Sequence, residues 1–201
     1  MAQSLFLALL GFAFATTVTP GPNNMMVMAS GANFGLRRTL PHVAGIALGF
    51  GAMILALGLG LMQAFHTVPG LETALTWACL AYLLWLAWKI ATAAPKAPEA
   101  PEARPAGRPL TFLQAAAFQW VNPKAWAMGT SALTAYAGAA GPGAVATVAA
   151  TFAAVSVPCI LAWTLLGQQM RRILSRPSRL RAFNVTMALL MLASLLPVLA
   201  G

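Results

Sequence analysis

The sequence predicts an all-α integral membrane protein: six transmembrane helices forming two inverted three-helix repeats, with the first helix of each repeat broken at proline. Three observations carry that expectation. Hydrophobic residues make up 60% of the 201 and charged residues 7%, with a mean hydropathy of +0.77, whereas an ordinary globular domain is about 45–50% apolar and about 25% charged. Apolar runs long enough to cross a membrane recur along the whole chain. Two of them are overlong, and each is interrupted by proline beside asparagine. A soluble fold of this composition would have almost no charged surface to cover its core, so residues 1–201 read as one membrane domain.

A helix needs about 20 apolar residues to cross a hydrocarbon core of about 30 Å. The first stretch, residues 5–35, has 31 and as a straight helix would reach about 46 Å at about 1.5 Å per residue. It is broken near its middle by Pro20-Gly21-Pro22-Asn23-Asn24. No Lys or Arg precedes it, and Thr19-Pro20-Gly21-Pro22 is a poor cleavage site, so it reads as a retained span and not a secretion signal. Residues 41–61 and 71–90 form the second and third spans. Residues 91–109 follow, rich in Ala, Pro, Glu and Lys with prolines at 95, 98, 101, 105 and 109, which is the composition of a solvated linker. The overlong stretch 110–140 is broken at Asn122-Pro123, and residues 144–167 and 180–199 complete the set. Repeat 1 therefore covers about residues 1–92, the linker 93–109 and repeat 2 110–201. Three spans per half is odd, so the second half enters the membrane from the opposite side. Similarity between the halves is confined to the Pro/Asn break and neighbours such as Met28 and Met128.

The net charge of +9 sits in clusters between the apolar runs: Arg37 and Arg38; Lys89, Lys96, Arg104 and Arg108; and Arg171, Arg172, Arg176, Arg179 and Arg181. Membrane topology explains this pattern better than nucleic-acid binding, because every Lys and Arg but Lys124 falls in clusters at alternate loops. Those loops are expected in the cytoplasm, with both termini on the outer face. Trp85 and Trp88 beside Lys89 read as an interfacial belt, and Glu72 as a solvated outer-loop residue. Gly31 with Gly35, and Gly45 with Gly49, are GxxxG pairs that let helix backbones approach closely. Cys79 and Cys159 lie far apart in apolar segments without CxxC spacing, and read as small packing residues.

Proline cannot donate a backbone hydrogen bond, so each break frees backbone N–H and C=O groups. Irregular backbone at membrane depth belongs where it is buried in protein or lines a wet cavity, and broken helices at corresponding places in two halves point to a transporter's binding site. A plain proline kink is the alternative at either break alone. Asn122 before Pro123 is a helix start, with asparagine as N-cap and proline at the first position; Pro22 starts the segment of Asn23 and Asn24 in the same way. Two helix N-termini favour an anionic group such as a carboxylate. The amides of Asn23, Asn24, Gln119 and Asn122 suit a ligand bearing both ammonium and carboxylate.

Lys124 lies in the first turn of its helix, where a cation opposes the helix dipole. A charge within a span is rare and usually functional. The chain has no Asp, and its glutamates are Glu72, Glu99 and Glu102, which makes a substrate carboxylate the natural counter-charge. Snorkelling to the outer interface is the other reading. On a straight helix from residue 110, Lys124 lies about 20 Å in, but the apolar run continues past it through Trp126, Leu133 and Tyr136. His42, near the cytoplasmic end of the second span, and Lys124 are the candidate proton carriers; an interfacial polar contact is the alternative for His42. The scarcity of carboxylates disfavours export of metal cations or polyamines. The sequence shows no nucleophile paired with His and Asp, no His/Cys metal cluster and no phosphate-cradling glycine loop, so no enzyme activity, cofactor or metal is expected.

At these residues the chain resembles the LysE/RhtB family of small amino-acid exporters. The likeness runs almost the whole length: Thr19-Pro20-Gly21-Pro22-Asn23-Asn24, Gly45-Ile46-Ala47-Leu48-Gly49, Tyr82-Leu83-Leu84-Trp85-Leu86-Ala87-Trp88-Lys89 and Asn122-Pro123-Lys124-Ala125. The resemblance implies a six-span, proton-driven exporter of amino acids or their derivatives in a bacterial inner membrane. Within the family, residues 85–90 and the second span look most like the branch exporting cysteine and O-acetylserine. Many relatives carry an acidic residue just after the second-span glycines, where this chain has Phe50. That departure disfavours a basic substrate and leaves proton coupling to Lys124, His42 or the substrate's amine.

The resulting expectation is proton-gradient-driven export of small neutral amino acids, of cysteine/O-acetylserine or threonine/homoserine type, by alternating access. Substrate would bind at Pro20, Gly21, Pro22, Asn23, Asn24, Gln119, Asn122, Pro123 and Lys124. The partners are the amino acid, protons and the bilayer, not nucleic acid, and homo-oligomerisation stays open. A passive small-solute channel is the competing reading. A membrane thiol oxidoreductase is disfavoured, because Cys79 and Cys159 do not adjoin the prolines of the first and fourth spans.

Overall fold

The computed structural model describes residues 1–61, 63, 67, 70–92, 107–138, 141–170 and 173–193. Every regular element among them is helical. Helix α1, Gln3–Val18, is entirely apolar or neutral, and stops where the proline pair removes the N–H groups needed to continue it. After the extended residues Thr19 and Gly21, α2, Pro22–Phe34, starts with proline in its first turn. The two helices are bent by 56° at this break. Gly35 ends α2 with φ 79°, a left-handed conformation that only glycine takes without strain, and its N–H bonds Gly31 O at 2.9 Å. Helix α3, Leu36–Ala56, begins at once, carries Pro41 in its second turn and runs on as a π-turn over Leu57–Leu61. Helix α4 is Leu71–Ala91.

The second half opens with a capping box: Gln114 N–H donates to Thr111 Oγ1 at 3.3 Å, and Thr111 N–H to Gln114 Oε1 at 3.0 Å. Helix α5, Phe112–Phe118, is only seven residues, followed by a 3₁₀ turn over Gln119–Val121. Asn122 caps α6, Pro123–Ala132, which passes into a π-turn over Leu133–Ala137. Helix α7, Pro142–Met170, has 29 residues and continues through an internal proline, Pro158. Helix α8, Pro177–Ala193, closes the described chain.

This architecture corrects the expectation of six transmembrane helices in two inverted triplets. Among the described residues, Leu36–Leu61 and Pro142–Met170 alone are long and apolar enough to cross a membrane unaided; the bent pair α1 and α2 makes a third if it counts as one span. The reason is physical. An apolar run does not set helix length when Pro, Asn and polar residues punctuate it, and α5 and α6, of seven and ten residues, reach about 10 and 15 Å against a core of about 30 Å. The fourth stretch is therefore a chain of short pieces. Helix α4 carries an apolar stretch over Leu80–Ala91, and α8, described from Pro177 to Ala193, has Arg179 and Arg181 in its first turns. Glu72 lies in the first turn of α4, not in a loop. The linker expected over 93–109 falls outside the described residues as far as 106, together with Lys96, Glu99, Glu102 and Arg104; Arg171, Arg172 and the side chains of Glu72 and Cys79 lie outside them as well.

Helix α7 is the hub, packed against α1, α2 and α3, while α5 lies on α3 and α4 on α8. The closest approaches are at glycines. A Cβ on Gly31 would fall on the Thr164 carbonyl and one on Gly167 on the Met28 carbonyl, so α2 and α7 meet backbone to backbone. Gly45 and Gly49 face the backbone of Phe112 and Ala116 in the same way. One apolar core gathers Leu9, Phe50, Met53 and Phe152, with Phe152 edge-on to Phe50 at 5.3 Å and to Phe12 at 6.2 Å. A second gathers Met25, Leu83, Phe118 and Met187 between α2, α4, α5 and α8.

Candidate functional site

The fold brings the two breaks together. The Thr19–Gly21 gap between α1 and α2 faces the Gln119–Asn122 turn between α5 and α6, and one cavity of about 30 Å³ lies between them. Gly21, Asn23, Asn24, Gln119, Asn122 and Lys124 all line it. Pro22 and Pro123 stand at the first positions of α2 and α6, and Pro20 contributes its carbonyl.

The amides interlock across the gap. Asn23 Nδ2 donates to Gln119 Oε1 at 2.9 Å, and Gln119 Nε2 returns a bond to Asn23 Oδ1 at 3.2 Å and another to Ala115 O at 2.9 Å. Asn24 Nδ2 donates to Thr17 O and Thr19 O, both at 2.8 Å, which satisfies carbonyls stranded at the end of α1. Asn122 Oδ1 accepts from Lys124 N–H at 3.2 Å as the N-cap of α6. Gln119 is fully buried and Asn24 and Asn122 nearly so, so this network holds polar groups that would otherwise be costly at that depth.

Lys124 has a partner that the sequence does not reveal. Its Nζ donates to Thr19 O at 2.8 Å and Pro20 O at 3.2 Å, across 105 and 104 residues of chain. The position opposes the dipole of its own helix but matches the negative C-terminal end of α1, whose last carbonyls have no helical N–H to bind. Gly21 makes the reach possible: a Cβ there would lie 2.7 Å from Lys124 Cδ and 3.1 Å from Nζ.

Sequence reasoning missed the other walls. Thr16 and Thr17 at the end of α1, Phe50 and Ile46 on α3, and Ser156 and Ile160 on α7 complete the cavity. The Thr17 hydroxyl is buried without a hydrogen-bond partner. A Thr-Thr pair one turn before the break, and a serine two residues before Pro158 in an apolar helix, were the available signals. His42 is not at this site. It lines a separate cavity toward the Arg/Lys-rich end, so the two proposed proton carriers are not brought together. Cys159 is buried and free within α7, and no group of three or more metal-ligating side chains occurs among the described residues.

The model of the LysE type translocator matches residues 14–195. The chain belongs to the LysE family. It is thus a translocator and not an enzyme, with membrane-spanning helices. A cysteine/O-acetylserine efflux protein of Escherichia coli O139:H28 is 31% identical over 195 residues, covering 96% of both chains. Cysteine/O-acetylserine efflux proteins of Escherichia coli K12 and Shigella sonnei are each 31% identical over 137 residues, 68% of this chain and 67% of theirs. No solved structure matches the chain. Both breaks and the cavity between them lie inside the matched range.

Proposed function

We propose that this LysE-family membrane protein exports small neutral amino acids or their derivatives, of cysteine/O-acetylserine or threonine/homoserine type, by alternating access driven by the proton gradient of a bacterial inner membrane. The observation that carries the reading is the contact of Lys124 with the carbonyl end of α1 in a cavity lined by carboxamides and no carboxylate. A zwitterion fits by inserting into that contact. Its carboxylate takes the Lys124 ammonium and the Asn23 and Gln119 amides, and its ammonium takes the Thr19 and Pro20 carbonyls that Lys124 gives up. A cationic side chain would meet Lys124 with no carboxylate to balance it, which disfavours basic amino acids. The named efflux activity of the relatives supports the substrate class.

At about 30 Å³ the cavity has room for about two waters and no amino acid. Substrate entry therefore requires the α5–α6 turn to draw away from α1–α2, opening the amide pair and the lysine contact together. Lys124 and His42 serve as proton carriers, with the basic end of the molecule toward the cytoplasm and the termini on the outer face. The test is uptake of labelled cysteine, O-acetylserine, threonine, homoserine and lysine into inverted vesicles with and without an imposed proton gradient. Accumulation of a neutral member that an uncoupler abolishes is the expected result. Equilibration without accumulation would mean a channel, and uptake of lysine alone would overturn the substrate class.

A further inference from the structure

A cavity larger than the one at the breaks lies elsewhere in the fold. About 540 Å³ opens between α2, α3, α4, α8 and the stretch leading into α5, a volume in the range of small-molecule sites. Among the described residues, the charged side chains on its wall are Lys89 and Arg108. The Lys89 ammonium stands 5.1 Å over the Trp85 ring, and no carboxylate lines the cavity among the described residues. Aromatic and aliphatic surface from Phe34, Trp85 and Leu86 forms the apolar part of the lining. Deep in the same wall is His42, 2% exposed, with both ring nitrogens lacking a hydrogen-bond partner. A buried imidazole with neither nitrogen satisfied is costly, and it sits behind the surface of this wall with its nitrogens closed off from the cavity.

We propose that this cavity is a second binding site, separate from the breaks, which takes the carboxylate of a small amino acid with an uncharged side chain and holds it before it moves to Lys124. Lys89 and Arg108 attract the carboxylate at the mouth, and the Trp85–Leu86 wall accepts the side chain. The assignment of the ligand as an amino acid rests on the export reading; the preference for an anion does not.

The experiment uses the full chain with Cys79→Ala and Cys159→Ala, so that an added Ile90→Cys at a half-buried position of the cavity wall is the single thiol. Two methanethiosulfonates of similar size, one carrying a sulfonate and one a quaternary ammonium, are compared for their rate of modification. One-signed clefts raise encounter rates of the opposite charge by 10-fold or more, so the sulfonate should react roughly tenfold faster, and Lys89→Gln with Arg108→Gln should erase the difference. Equal rates, or no reaction with either reagent, would overturn the site. O-acetylserine, serine or threonine should then slow the modification, and should still do so with Lys124→Ala added. Protection lost with Lys124→Ala would mean one site and not two, and an anion preference that none of these amino acids diminishes would overturn the ligand. The reagent preference is read without transport, so failed vesicle uptake and a failed second site give different results.

Discussion

Replacing Lys124 by methionine keeps most of the side chain's length and removes its charge and both bonds to the end of α1. The bonds are 2.8 and 3.2 Å long, and hydrogen bonds to a charged group contribute about 1.5–3 kcal/mol each. Two corrections reduce the loss. Both contacts are open to solvent on one side, where such interactions are worth the low end of the range, and the adjoining cavity of about 30 Å³ accepts about two waters that can bond the freed carbonyls. The stability cost should therefore be about 1–2 kcal/mol, within the reach of a folded membrane protein. Transport should suffer more. If the ammonium binds the substrate carboxylate as the barrier is crossed, its loss costs about 1.5–3 kcal/mol of transition-state binding, or roughly 10- to 150-fold in rate. Uptake into inverted vesicles, normalised to folded protein by size exclusion, reads this directly, and Lys124→Arg should recover part of it because the charge returns. Export by Lys124→Met at the wild-type rate would refute the reasoning and leave Lys124 as a cap of α1 only.

Three further outcomes follow from the same geometry. Thr17→Val removes a buried hydroxyl without a partner, so thermal stability should rise by up to about 1–2 kcal/mol while substrate affinity falls; a drop in stability would show that the hydroxyl is already satisfied. Asn23→Ala and Gln119→Ala should be non-additive in unfolding free energy by about 0.5–3 kcal/mol, because each amide is the other's partner; simple addition would mean that the pair is not formed in the membrane. Gly31→Val places a side chain on the Thr164 carbonyl and should destabilise the fold by about 1–3 kcal/mol, read as loss of the monodisperse peak in detergent, whereas Gly11→Val, where a Cβ meets nothing within 4 Å, should leave it unchanged.

Composition determined that this is a membrane protein, because a chain with 7% charged residues has nothing with which to cover a soluble core, and the long apolar runs made it helical. The break points were legible for an equally local reason: Pro20, Pro22 and Pro123 remove N–H groups wherever they stand, and Asn122 caps the helix it precedes. The family followed from the residues around those breaks, and the match over 14–195 bears that resemblance out. Span count was not legible. Apolarity marks what can face lipid, but helix length depends on how each punctuated stretch resolves its backbone bonds, and the fourth stretch resolves into pieces of seven and ten residues.

What only the tertiary structure decided is which groups meet. Lys124 opposes the dipole of its own helix, and in sequence it therefore asks for a carboxylate from outside. Folding places it instead at the carbonyl end of α1, a partner 105 residues away that is created by the other break. In the same way Asn23 finds Gln119 across 96 residues, Thr17 and Ser156 join the site from helices that carry no obvious motif, and His42 is taken to a different cavity. Local chemistry is written residue by residue, because proline, glycine and asparagine act on their own backbone. Long-range pairing depends on the close backbone approach of α7 to α2 and of α5 to α3, which glycines permit but whose partners they do not name.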